Sequence, residues 1–286
     1  ETAFVADSNP RPVMTDKKTE IPPPPVQGRG LQLPEYVAGD NVTQDGTPAG
    51  LPSSPPAGLT SGAGYSITLS SVFSSISPPG AGQWSADGIT GSTTAMFSGG
   101  GLAAFSDGPM EVFQGAPVGM LSDGIIGWGR WIDASRLLGG TPLDTLQHTH
   151  YVVGLPTPVM PTMGTANFTL IGYTFPTATL DGVNFTFGTQ PITGSLTANF
   201  GSYSVSGNLA VPMGANIYST SWSGSIGGSS FGGSGSVTSS GSDCGCGCSA
   251  GILGFFAGSN AARAGLAYEF GGTDYGDIHG AAVFKK

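Results

Sequence analysis

Two neighbouring stretches, SYSVSGNLAV (202–211) and IYSTSWSGSI (217–226), alternate with a period of two. In the first, Tyr203, Val205, Gly207, Leu209 and Val211 share one face, and Ser202, Ser204, Ser206 and Asn208 the other. In the second, Tyr218, Thr220, Trp222, Gly224 and Ile226 oppose four serines. This is the pattern of a strand with one apolar and one wet face. YSITLSSVF repeats it with Tyr65, Ile67, Leu69 and Phe73. Further strand candidates are Ile125–Ile132, Thr149–Val153, Asn167–Phe175, Gly194–Phe200, Ser229–Val237, Ile252–Ala257, Gly265–Phe270 and His279–Phe284, punctuated by Gly and Pro. Helix signals are confined to Ala134–Leu138 and Asp144–His148. Glycines within strands (Gly172, Gly207, Gly224) suit a sheet that bends sharply. The expected class is all-β: an antiparallel β-barrel or coiled β-sandwich of about eight to ten strands over 65–286.

Residues 1–64 read differently. IPPPPVQGRG (21–30) is polyproline-like and LPSSPPAGLTSGAG (51–64) is a Pro/Gly/Ser linker. The expectation is a long extended arm in which Phe4, Val5, Val13, Ile21, Leu31 and Leu33 supply apolar contacts to a neighbouring subunit. Glu1 rather than Met opens the chain, which reads as a processed product.

Charge narrows the function classes. Only 9% of the 286 residues are charged and the formal net charge is −9. Beyond residue 30 the only basic residues are Arg130, Arg136, Arg263, Lys285 and Lys286. Nucleic-acid binding needs clustered Lys and Arg, so it is excluded as a partner class. Weak charge repulsion between copies favours self-association. No run of 18 apolar residues marks a membrane-spanning helix.

GFFAGSNAARAGLAYEF (254–270) carries the pattern G-x-F-x-G-x-x-A-x-x-x-G through Gly254, Phe256, Gly258, Ala261 and Gly265. Read physically, this is a barrel corner. Gly258 takes a conformation closed to Ala, residues 259–262 turn, and Gly265 lets its strand pass close to an aromatic such as Phe256. The motif, followed by the closing DIHGAAVFKK, resembles the C-terminal β-barrel of the transferrin-binding-protein-B-like family of Gram-negative surface proteins. GIIGWGRWID, HTHYVVGLPTPVMPTMGTANFTLIGYTFPT and GSLTANFGSYSVSGNLAV resemble bacterial proteins in which such a barrel follows a FecR-type region. The resemblance covers roughly residues 124–286. It implies a barrel at the cell surface or outside a Gram-negative cell. Some family members bind host proteins or haem through loops that do not align here, so no binding residues follow from it.

Cys244, Cys246 and Cys248 lie within SDCGCGCSAG. In an extended strand all three thiols aim one way. A zinc site usually wants four ligands at wider spacing. An intrachain disulfide, an intermolecular one and free thiols all remain open. His148 and His150, two apart, face one side of a strand and are read as hydrogen-bonded histidines rather than ligands, because His279 is distant in sequence. No metal, cofactor or catalytic residues are assigned, and no enzyme activity is expected.

The expected function is an extracellular structural subunit that polymerises into a fibre or surface layer, its arm adding a strand to, or wrapping, another copy. The alternatives are a surface-exposed barrel that binds haem, a host protein or a glycan, and a processed fragment of a FecR-type signalling protein.

Overall fold

Period-two alternation becomes strand almost throughout. The computed structural model describes residues 58–73, 80–86, 88, 93–180, 184–241, 244 and 247–286. The chain divides at Glu35/Tyr36, and every described residue belongs to the second unit. The arm contacts Phe4, Val5, Val13, Ile21, Leu31 and Leu33 lie outside the described residues.

An open antiparallel sheet comes first. It contains β1 (Gly62–Ala63), β2 (Ser66–Phe73), β3 (Gly80–Ala86), β4 (Thr93–Ser98), β5 (Gly101–Asp107), β6 (Glu111–Ser122), β7 (Ile126–Leu138) and β8 (Thr141–Gly154), in the order β1-β4-β5-β6-β7-β8-β2-β3. It curls over its own apolar face. Phe105 stacks on Phe113 at 4.6 Å and Trp131 packs on Tyr151 at 5.1 Å within one buried cluster that also holds Tyr65, Ile67 and Leu69. Each such side chain taken from water contributes roughly 1.5–3 kcal/mol.

The second sheet contains β9 (Thr165–Tyr173), β10 (Thr177–Thr179), β11 (Phe185–Phe187), β12 (Thr193–Asn199), β13 (Ser204–Met213), β14 (Asn216–Gly227), β15 (Ser230–Ser239), β16 (Cys248–Ala257), β17 (Arg263–Thr273) and β18 (Gly276–Lys285). The strands from β12 to β18 form a meander, β9 pairs with β12, and β18 pairs back onto β9, so eight strands close an antiparallel barrel. The outer edge of β18 is shared. Its residues 277–279 pair with β10 and 282–285 with β9. An eight-stranded barrel is just wide enough for side chains to fill. Phe168, Tyr218, Trp222, Phe256, Tyr268 and Phe270 are among those that fill this one.

Three expectations change. Ala134–Leu138 and Asp144–His148 are not helical; they lie in β7 and β8, joined by a Gly139–Gly140 turn. Cross-strand pairing along this long hairpin overrides the weak local helix signal. Tyr203 leaves the apolar face of β13. It sits in the preceding turn at φ 53°, 60% exposed. The serine face of β2 is not wet: Ser66, Thr68 and Ser70 are fully buried. That face lies against the barrel, where Thr68 Oγ1 donates to the Leu253 carbonyl at 3.2 Å. A hydroxyl tolerates burial when it is hydrogen-bonded. On β13 and β14 the serine faces point outward, as the alternation implies.

Candidate functional site

The open sheet rests on the barrel wall through an apolar cluster of Ile126, Trp128, Val152, Phe255, Ala257, Ala281 and Val283. Beside it runs a polar seam. On β8, the buried His150 ring has Nδ1 2.7 Å from Thr174 Oγ1 and Nε2 2.8 Å from Thr177 Oγ1, both on the barrel side. From β18, His279 Nδ1 meets Ser70 Oγ of β2 at 2.7 Å. His148 lies against the β11 rings of Phe185 (4.2 Å) and Phe187 (5.1 Å). Arg130 of β7 places its Cζ 5.3 Å from the Phe187 centroid. Gln83 Nε2 donates to the Gly251 and Ala267 carbonyls of the barrel, and Arg263 of β17 pairs with Asp123 of the β6–β7 turn.

These are all three histidines of the chain, and each crosses the boundary between the two sheets. His148 and His150 do not act as a pair. His148 has φ 48° and turns to the phenylalanines, while His150 takes the threonines. His279 joins them from 129 residues beyond His150, an approach that spacing alone does not show. Among the described residues no group of three or more His, Cys, Asp or Glu could hold a metal ion.

Burial governs the electrostatics. It lowers His148 to about 4, with Arg130 adding to the effect. Burial, then Arg130, His279 and His148, hold His150 well below the usual imidazole value. Burial lowers His279 to about 3. Glu269 of β17, the register partner of His279, is pushed up to about 7 by burial and by Asp277. The imidazoles are therefore neutral at pH 7. A neutral imidazole offers one donor and one acceptor, which the hydroxyls of Thr174 and Thr177 both meet.

A second feature lies at one end of the barrel. LPTPVMPTMG (155–164) connects β8 to β9. Thr157 N donates to the Phe256 carbonyl at 2.9 Å, Gly258 N to the Leu155 carbonyl at 3.3 Å, and Phe200 N to the Gly164 carbonyl at 2.9 Å. Pro156, Pro158 and Pro161 restrict the backbone further. Met160 packs against the barrel core, while Val159 and Met163 are each 78% exposed. Tyr203 and the half-exposed Leu155 share this end, as do the exposed Lys285 and Lys286. Lys286 Nζ lies 5.9 Å from the Phe200 ring. Sequence reasoning missed this surface; its visible trace was three prolines within six residues.

The barrel-corner motif sits at the same end. Phe256 is buried among Phe168, Phe200 and Phe231. Gly254 lies beside Phe231, Gly258 has φ +73°, and Ala261 is buried in the turn at φ 52°. Gly265 does not face an aromatic. A Cβ there would lie 2.5 Å from Val152 Cγ1 and 2.7 Å from Ile126 Cδ1, so this glycine lets the open sheet approach the barrel wall. On the β15–β16 connection, Cys244 and Cys248 form a disulfide with a Cα–Cα distance of 5.3 Å. Cys246 lies outside the described residues. A groove of about 490 Å³ on the open sheet, lined in part by Gln114, Asp133 and Ser135, contains no histidine.

The fold is thus an all-β, two-sheet arrangement of an open curled sheet on a closed barrel. No protein-family model matches the chain, and no curated protein matches it. Solved structures of transferrin binding protein B are similar to it. A variant of the Haemophilus parasuis Hp5 protein is 15% identical over 77% of this chain and 45% of that one, with a TM-score of 0.45. A variant from Actinobacillus pleuropneumoniae H49 is 14% identical over 77% and 98%, with a TM-score of 0.40. The isotype 1 protein of serogroup B Neisseria meningitidis is 14% identical over 77% and 43%, with a TM-score of 0.41. This chain spans under half of the Haemophilus and Neisseria structures. None of these structures is described as FecR-associated.

Proposed function

We propose that this chain is a non-enzymatic binding protein displayed at or beyond the cell surface, which docks a macromolecular partner on the barrel end built by residues 155–164 and Tyr203. The observation that carries this reading is the exposure of Val159 and Met163 on a backbone pinned to the barrel at both ends of the loop. Exposed apolar groups held in place mark interaction surfaces, and a preformed loop loses little conformational freedom on binding. The barrel interior is filled, so a ligand is expected on the outside. Lys285 and Lys286 at the rim favour a partner of acidic character.

This is the surface-binding alternative expected from the sequence. The arm-led fibre depends on residues outside those described, and nothing described favours it or the FecR-type signalling fragment. A photo-crosslinking amino acid at position 159, exposed to host serum, tests the reading. An adduct with another protein that disappears in Met163→Asp supports it. Adducts only between copies of the chain restore the fibre reading, and no adduct overturns surface docking at this end.

A further inference from the structure

We propose that His148, His150 and His279 form an acid-sensitive latch that holds the open sheet on the barrel, so that protonating the seam parts the two sheets. The geometry carries this. Each sheet sends at least one imidazole across the boundary: His150 to Thr174 and Thr177, His279 to Ser70, His148 to Phe185 and Phe187. No imidazole of the chain lies elsewhere. Burying an imidazolium costs far more than burying the neutral ring.

The charged neighbours raise that cost. Around His150 they are Arg130 on β7, His148 on β8 and His279 on β18, while its ring nitrogens meet the hydroxyls of Thr174, between β9 and β10, and of Thr177 on β10. His148 faces Arg130 from β7 and the aromatic rings of β11. His279 has Glu269 beside it on β17 and Asp277 on its own strand. Burial, with Asp277 adding to it, pushes Glu269 up to about 7, and burial raises Asp277 as well. Among the described residues, Arg130 works against an added proton at His148 and His150, and Glu269 and Asp277 beside His279 are both raised acids.

The sign follows. A histidine whose folded value is depressed stabilises the closed arrangement above about pH 6.5, and that contribution is lost as pH falls toward the folded values. Each histidine shifts the closed–open equilibrium about tenfold per pH unit in this window, and Glu269 opposes by about tenfold.

Hydrogen–deuterium exchange of the full chain at about pH 7.5 and about pH 4.5, corrected for intrinsic exchange, tests the latch. At the lower pH, β2 and β8 are expected to lose protection about a hundredfold or more while β13–β15 keep theirs. In the variant H148Q/H150Q/H279Q the loss shrinks to about tenfold or less. Three results overturn the proposal: a change under about tenfold in wild type, equal loss in β13–β15, or the same acid loss in the variant. If the triple variant does not fold, the fluorescence of the interfacial Trp128 in wild type decides. A midpoint between about pH 6.5 and 4 supports the latch, and one outside that window overturns it.

Discussion

Ser70 Oγ and His279 Nδ1 meet at 2.7 Å across the boundary between the open sheet and the barrel, 209 residues apart in the chain. Both groups are fully buried. Ser70→Ala leaves the ring nitrogen buried without this partner, which costs about 1–3 kcal/mol. Chemical denaturation at pH 7 is expected to show that loss with an unchanged denaturant slope.

The docking of the open sheet on the barrel should gain stability as pH rises and level off at about pH 7.5. Below that value the three histidines take up protons on unfolding, and Glu269, held near 7 in the fold, releases one. The net uptake of about two protons corresponds to roughly 2–3 kcal/mol lost per pH unit between about pH 6 and 5. Glu269 gives up its own contribution between about pH 4.5 and 7, so it flattens the histidine-driven rise and adds no falling limb above it. Denaturation midpoints followed by the fluorescence of Trp128 at the seam, across the range from about pH 5 to 8, check the rise and the plateau.

Gly265 should not accept a side chain. Gly265→Ala places a methyl on Val152 and Ile126, and overpacking of this kind costs about 1–3 kcal/mol. Val152→Ala in the same chain is expected to recover part of the loss, measured by a double-mutant cycle in thermal denaturation.

The cysteines offer a simple count. Three cysteines and one bridge between Cys244 and Cys248 leave one thiol. Alkylation of the denatured, unreduced chain is expected to add a single label, observed by intact mass. Cys244→Ser opens a short loop and costs about 2 kcal/mol.

Exposed loop positions behave differently from core ones. Met163→Asp is expected to change stability by no more than about 0.5 kcal/mol while abolishing the partner crosslink from position 159. Unchanged crosslinking would place the docking surface elsewhere.

The strands were legible wherever one face is apolar and the other polar. Tyr218, Trp222 and Ile226 line the barrel interior as their spacing requires. What a polar face touches was not legible. The serines of β2 and of β14 read alike, yet the former are buried against the barrel and the latter face solvent. The histidine seam left no local trace, because its partners lie on strands far apart in the chain and no periodicity links them. Tyr203 misled because the alternation continues through a turn that only a left-handed backbone explains.

β18 closes the barrel by pairing with β17 on one side and with both β9 and β10 on the other. Until β18 has emerged from the ribosome, β17 and β9 are both raw edges, and so is the edge of β10 that β18 covers. Barrel closure thus waits for β18, and a nascent intermediate without it offers other polypeptides open templates. A dedicated escort during synthesis, or rapid release, is the condition under which such a molecule matures cleanly.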